Sequence, residues 1–337
     1  MTRKNPWFDA SLSHHSPEGF TNLSPGGHQP GEVKRWRKER KAAGLPLPPA
    51  GGYEHFIATW WQPAELDVSG SENKLWWLGH STILLRLQNQ YILTDPVFSR
   101  RASPLSFAGP ERRTPIALSI ADLPAVDAVV ISHNHYDHLD DKSIRLLLAR
   151  FPDITFFAPL GLKRWLRQRG ARDVIELDWW QSVTRQGVVY TAVPAQHWSM
   201  RTFWDRNASL WCGWVIERRD WRFWFPGDTG YTPELLQIPA RLGNIDVAAL
   251  PIGAYAPRWF MATNHMDPQQ AVKLWEQLDK PLAFPVHWGV FELADESLDE
   301  PVRELQEALN ETVSGFSNFT PLRIGQYLTL PDAGHAD

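Results

Sequence analysis

The sequence predicts an α/β fold, with a body over residues 71–337 preceded by an N-terminal extension over residues 1–70. Three observations predict it. Apolar runs of strand length alternate with segments whose apolar residues recur at i, i+3, i+4 and i+7. Strand-rich stretches begin at Leu75 and again after Gly187, with strand–helix alternation between them and beyond, and no internal repeat of about 20–50 residues is present. The chain has 337 residues, 43% apolar and 21% charged, which is ample for a sizeable globular core.

Composition narrows the function classes. No window approaches the ~18 consecutive apolar residues of a membrane-spanning helix, and the N-terminal MTRKNPWFDASLSHH lacks the apolar segment of a secretion signal. A cytoplasmic chain is expected. Cys212 is the one cysteine, so it can form no internal disulfide and no Cys-rich metal site; His, Asp and Glu are left as ligands. The net charge of −4 argues against a nucleic-acid partner held on an extended basic face. The 18 tryptophans bury large areas while keeping an N–H near something polar, and are expected in the core, in clefts and at an interface.

Taken in order, residues 1–70 are set apart by the Pro- and Gly-rich SPEGFTNLSPGGHQPGE and GLPLPPAGG. This extension is expected to wrap the body through the aromatic anchors Trp7, Phe8, Trp60 and Trp61, with a short helix in the basic run Lys34 to Lys41 as its one regular element. That run predicts a solvated helical face, with peripheral contact to anionic lipid, Trp36 at the interface, as the second reading. From Leu75, LWWLG, ILLRL and YILTDP read as strands. His80 falls at the first strand-to-strand turn. Asp95 ends the third strand before Pro96, placed to accept the N–H of a metal-bound imidazole. DAVVIS reads as a buried strand, followed by a helix that starts at Asp140 and Asp141 and carries Ile144, Leu147, Leu148 and Phe151 on one face. ITFFAP, GLKRWLRQRG and VIELD continue the alternation. VVYTAVPAQH, LWCGWVIE and RFWFPGD are strands, the last two joined by a tight turn at Arg218-Arg219-Asp220. DVAALPIG is another strand. Asp267 and Pro268 are an N-cap and first helical position, PLAFPVH a strand, and residues 300–310 a last amphipathic helix.

The chemistry is concentrated in ISHNHYDHLD, residues 131–140, which puts His133, His135, Asp137 and His138 within six positions at a strand's C-terminal end. Imidazoles and a carboxylate suit zinc and other first-row divalent metals. Adjacent Asp137 and His138 point to different sides, so two ions share this set better than one. His133 and His135 await one further histidine, Asp137 and His138 another. His197, Asp228 and His287, all at strand ends, are the candidates, and Asp228, in the glycine-rich turn PGDTG, is suited to bridge.

LGHST, LTDPVFSRRASP, ISHNHYDHLD, VIELDWW, PAQHWSMRT, FPGDTGY, LPIGAYAPRWFM, NHMDPQQAV and VHWGVFELADE extend over about residues 75–300. Together with SPEGF near the N-terminus, they resemble the N-acyl-phosphatidylethanolamine-hydrolysing phospholipase D family of the metallo-β-lactamase fold. The resemblance implies an αββα sandwich with two Zn2+ at one edge: His133, His135 and His197 on one ion, Asp137, His138 and His287 on the other, Asp228 bridging. It also implies that His265, before a helix N-terminus, meets the substrate phosphate. Ser106 and Phe107 stand where mammalian members carry Gln-Tyr, so lipid contacts are expected to differ there.

The expected function is therefore hydrolysis of an N-acyl-phosphatidylethanolamine or related phosphodiester by a hydroxide bridging two zinc ions, with Asp137, Asp228 and His265 as the catalytic set. The same ligands serve a lactonase or other acyl-ester hydrolase, which is the alternative; a nuclease and a non-catalytic binding module rank lower. A phospholipid is the expected partner, with peripheral membrane contact, and the family suggests a homodimer.

Overall fold

In the computed structural model, which describes residues 4–330 apart from 28, 68–69, 71, 220 and 313–317, alternating apolar strands build two sheets laid face to face. The chain runs β1 (His15–Ser16), β2 (Gly19–Phe20), α1 (Glu32–Ala43), α2 (Gly52–Trp60), β3 (Lys74–Gly79), β4 (Thr82–Leu87), β5 (Gln90–Thr94), β6 (Ala128–Val130), α3 (Asp141–Arg150), β7 (Thr155–Pro159), α4 (Lys163–Arg167) and β8 (Asp173–Leu177). It continues with β9 (Ser182–Arg185), β10 (Val188–Val193), β11 (Gly213–Arg218), β12 (Trp221–Phe225), α5 (Gln237–Leu242), β13 (Val247–Pro251), α6 (Arg258–Met261), α7 (Pro268–Gln277), β14 (Leu282–Val286), α8 (Glu300–Thr312) and β15 (Tyr327–Thr329). One sheet has seven strands in the order β15-β3-β4-β5-β6-β7-β8, the other six in the order β14-β13-β12-β11-β10-β9.

Alternation of side chains across each strand decides the layering. Trp77, Leu85, Ile92, Val130 and Phe157 face the second sheet's Tyr190, Trp214 and Phe223 across the central core. Their neighbours Trp76, Leu84, Leu93, Val129 and Phe156 pack outward under Ile144, Leu147 and Leu148 of α3 and Leu166 of α4. On the far face of the second sheet lie α7 and α8, with Ala271, Leu274 and Trp275 from one and Val302, Leu305 and Leu309 from the other. The result is the expected αββα sandwich. Two helix starts form as their sequences dictate: Asp140 accepts from Ser143 N, and Asp267 makes a capping box with Gln270 behind Pro268. The turn read at Arg218-Arg219-Asp220 includes Asp220, outside the described residues; Arg218 and Trp221 pair across it.

Several elements were not anticipated. The extension contains α2 as well as α1, because Phe56 alone of its side chains is buried and a single anchor leaves no periodic signal. β9 is a polar edge strand, SVTR, recruited by its antiparallel neighbour β10 rather than by its own burial. Of the expected anchors, Trp7 packs against Phe20 at 6.3 Å, Trp60 meets Trp288 edge-on at 5.2 Å and Trp61 lies against the core, whereas Phe8 is 44% exposed. Trp36 turns inward: it stacks on Phe260 at 4.9 Å and donates to Asp295 at 2.9 Å, so it is not offered to a lipid surface.

Candidate metal centre

Every strand that feeds the site does so from one end of its sheet. His80 lies between β3 and β4, Asp95 follows β5, the histidine motif follows β6, His197 follows β10, Asp228 follows β12 and His287 follows β14. Two backbone features make this possible. Gly227 has φ 64° and a Cβ there would meet Ser132 Cβ at 2.5 Å, so only glycine lets Asp228 approach the motif. His80, Asp95 and His287 hold positive φ values of 54°, 30° and 63°, an uncommon conformation that costs about 1–3 kcal/mol each and collects at functional sites.

Two sets of donors converge. Nε2 of His133 and Nδ1 of His135 are 2.8 Å apart, and Nε2 of His197 is 3.2 Å from the same Nδ1. In the other set, Nε2 of His138 and Nε2 of His287 lie 3.3 and 3.4 Å from Oδ2 of Asp137. Asp228 stands between them, its oxygens 3.1 Å from His138 and His287 and 3.7 and 3.9 Å from His197 and His133.

The outer ring nitrogens fix which inner ones carry lone pairs. Ser132 Oγ donates to Asp95 Oδ2 at 2.5 Å and so accepts from Nδ1–H of His133 at 2.9 Å. His138 donates Nδ1–H to Asp95 at 2.7 Å, and His197 donates Nδ1–H to the Asn264 carbonyl at 3.1 Å. In the neutral rings the Nε2 atoms of all three are thereby left as lone-pair donors turned inward, placed for a cation. Buried Nε2 of His138 and His287 and Oδ1 of Asp228 have no hydrogen-bond partner, as a set of metal-binding donors would show. With nitrogen and oxygen donors only, the set fits divalent first-row metals.

His80 is different. Its Nε2 lies 2.9 Å from Asp137 Oδ2 and serves that carboxylate as an N–H donor, which places it behind the ligand. The same reasoning separates a look-alike cluster, His14, His15 and Asp178. There His15 Nδ1 accepts from Asp9 N at 3.2 Å, so its Nε2 must bear the proton given to Asp178 at 2.8 Å. That cluster is a hydrogen-bonded clamp between extension and body.

Electrostatics follow the geometry. Burial would raise the Asp228 and Asp137 carboxyls, but the neighbouring imidazoles, His138 foremost, hold both well below the usual carboxylate range. Burial works against charge on His287 too, yet Asp228 and Asp137 push it up to about 9, and His138 likewise rises well above the ordinary histidine value. Burial lowers His133 and His265 well below it, His135 to about 4 and His197 to about 3. Two carboxylates thus recruit positive charge that an entering metal would displace as protons.

His265, on the loop between α6 and α7, has Nδ1 4.0 Å from Asp228 Oδ2 and a side chain 13% exposed; with Asp137 at 14% and the partly buried His135, it marks the open lip of the cluster. Ser106 lines a cavity of about 270 Å³ together with Tyr136 and Arg201, while Phe107 is 78% exposed; neither joins the hydrogen bonds or ring contacts of the cluster. Residues that carried no signal in the sequence also serve the centre. Asn22 pairs with the backbone of His197 on both sides, accepting from N at 3.2 Å and donating to O at 2.8 Å. Trp198 meets the His135 ring edge-on at 4.4 Å. Glu296 accepts from the amides of Ala254 and Ala256 at 2.6 and 3.0 Å, pinning the loop that leads to His265.

A family model described as the Beta-lactamase superfamily domain matches residues 90–288. The chain is 40% identical over 245 residues to N-acyl-phosphatidylethanolamine-hydrolyzing phospholipase D 1 of Caenorhabditis elegans, covering 69% of each chain. It is 35% identical over 237 residues to the mitochondrial enzyme of that description from Saccharomyces cerevisiae, covering 68% of this chain and 50% of the yeast protein. The solved structure of Igni18, a metallo hydrolase from Ignicoccus hospitalis, shares the fold with a TM-score of 0.58 at 23% identity, over 77% of this chain and 99% of that one. Family match, relatives and converging donors agree: the chain belongs to the metallo-β-lactamase superfamily, within the family of N-acyl-phosphatidylethanolamine-hydrolysing phospholipases D, and is a metal-dependent hydrolase.

Proposed function

We propose that the chain is a dinuclear zinc phosphodiesterase that hydrolyses an N-acyl-phosphatidylethanolamine or a related phospholipid. The observation that carries this reading is the single carboxylate of Asp228 within 3.1–3.9 Å of histidines from both donor sets. His133, His135 and His197 would hold one ion, Asp137, His138 and His287 the other, with Asp228 shared. When bound, such a pair lowers the pKa of a water to about 7 and neutralises charge on phosphoryl oxygens.

The chain's own residues do the rest. Asp228 orients the attacking water and takes its proton. His265, kept neutral by burial, donates an N–H to a non-bridging phosphoryl oxygen from the open lip. His80 fixes Asp137 through its N–H, and Asp95 fixes His138, so neither ligand can turn as charge develops. The substrate is met at a bilayer surface: Phe203 and Trp204, 92% and 86% exposed, and Phe107 stand on loops whose Arg201 and Ser106 line the cavity beside Tyr136.

The test pairs metal content with turnover. Wild type should carry about two zinc ions per chain and hydrolyse bis-p-nitrophenyl phosphate and an N-acyl-phosphatidylethanolamine, whereas Asp228→Ala should lose at least about 100-fold of both activities. Faster turnover of a lactone or nitrocefin than of either phosphodiester would assign the site to acyl hydrolysis instead. Full activity in zinc-loaded Asp228→Ala would remove the bridging assignment.

A further inference from the structure

A second cavity, of about 560 Å³, lies on the outer flank of α3, away from the converging imidazoles. Its volume is in the range of small-molecule pockets, about 300–1,000 Å³. Phe98, Ile116, Ile120, Leu146 and Ala149 line it, and two of these, Ile116 and Leu146, are 41% and 46% exposed in the groove. These side chains give the groove an apolar wall open to water.

A cation stands at each end. Lys142 and Arg150 lie on the lining at opposite ends of α3, about 12 Å apart at the helical rise of ~1.5 Å per residue. Arg150 is engaged, donating to the Leu123 carbonyl at 3.0 Å and lying over the Phe151 ring. Lys142 makes no ion pair among the described residues, and the acids beside it are taken: Asp141 is held by Arg145 and Arg169, and Asp140 by Ser99 and Ser143. Lys142 and Ser99 also line the adjoining cavity together with Arg201, Arg100 and Arg101, the last two ion-paired with Glu111, and with the carboxylates of Asp140 and Asp141. The apolar groove therefore has, at its Lys142 end, a cation that makes no ion pair among the described residues.

We propose that this groove binds one hydrocarbon chain of an anionic amphiphile, a long-chain carboxylate or phosphate, with Lys142 meeting the head and Leu146, Ile116 and Phe98 the chain. A neutral long-chain lipid matches the walls and leaves the cation unmet; a short anion matches the cation and leaves the walls wet. The site is separate from the metal centre and does not rest on the phosphodiester reading.

The probe is cis-parinaric acid, a fluorescent long-chain carboxylate, titrated below its aggregation limit into the full chain, with lysophosphatidic acid as displacing phosphate amphiphile and the methyl ester of the probe as neutral control. Saturable binding is expected, displaced by lysophosphatidic acid and at least about tenfold weaker for the ester. Leu146→Asp, a change at a half-exposed position, should weaken it at least about tenfold and Lys142→Glu about fivefold, each with unchanged circular dichroism and unchanged turnover of bis-p-nitrophenyl phosphate. Displacement by the carboxylate amphiphile oleate but not by lysophosphatidic acid would confine the head-group class to carboxylates. Non-saturable binding, equal binding by both variants, or displacement of the probe by bis-p-nitrophenyl phosphate would overturn the proposal, the last by moving the ligand to the metal centre.

Discussion

At the scale of single residues, what separates a candidate ligand from a bystander is the proton on the far side of the ring. His133, His138 and His197 each spend their N–H on an outer acceptor and turn a lone pair inward, whereas His15 spends its lone pair on an amide and cannot. The same attention to what a buried group faces yields a stability prediction at Glu296. Burial raises this carboxyl to about 7 against the downward pull of the two loop amides it accepts from. In the unfolded chain it ionises near 4.5, so between the two values the folded state keeps a proton that the unfolded state has lost, and stability falls as pH rises. The fall is on the order of 3 kcal/mol, complete by about pH 7.5. Glu296→Gln removes that slope while leaving one loop amide facing an NH2 group. It should be less stable than wild type at pH 5, with the gap narrowing towards pH 8 in denaturant titrations; a gap that stays constant across this range would show that Glu296 does not titrate between the two states.

At the scale of elements, residues 1–70 reach the candidate site through Asn22. Asn22 acts on His197 as a neighbouring strand would, bonding its N–H and its carbonyl and also accepting from Trp211 Nε1 at 3.1 Å. Asn22→Ala strips both backbone partners from a buried ligand at once. A loss of about 1–3 kcal/mol of stability is expected, together with about 10–100-fold weaker zinc retention in a chelator competition, while Trp211 keeps its bond to the Ala195 carbonyl. Unchanged zinc affinity with lowered stability would leave Asn22 a purely structural clip. This role was invisible in the sequence for a physical reason. The extension makes its contacts through isolated side chains at long separations, and no periodicity records them. The body was legible because its strands are buried on both faces: β3 to β7 follow from short apolar runs bounded by polar turn residues, α3 from i, i+3, i+4 spacing, and the candidate ligands stand at strand ends where the chain turns. Elements held by their neighbours, such as β9 and β15, were not, since their own residues are barely buried.

At the scale of the whole molecule, the proposed phospholipid substrate raises the question of how a folded chain would reach a lipid that does not leave its bilayer. Among the described residues no helix is long and apolar enough to cross a membrane. The sequence pointed to the basic run, but α1 buries Trp36 against Phe260 and uses Arg40 on the carbonyls of Glu292 and Leu293, which turns part of its apparent lipid-binding face into an internal joint. The exposed aromatics lie elsewhere, on the loop of Phe203 and Trp204. That loop is tied to the histidine motif itself: Arg201 donates to the carbonyls of Asn134 and Leu139 and accepts at its own carbonyl from Tyr136. Seating the two rings among headgroups would bring the open lip at His265 and Asp137 to the membrane plane. Burying one such ring contributes about 1.5–3 kcal/mol, so the double change Phe203→Asp, Trp204→Asp should reduce co-sedimentation with phospholipid vesicles by about 100-fold or more. Turnover of vesicle-borne substrate should fall in parallel, and turnover of bis-p-nitrophenyl phosphate should not change. Equal loss on both substrates would mean that the loop supports the metal centre through Arg201 rather than docking it, and unimpaired vesicle binding would place the membrane contact on another face.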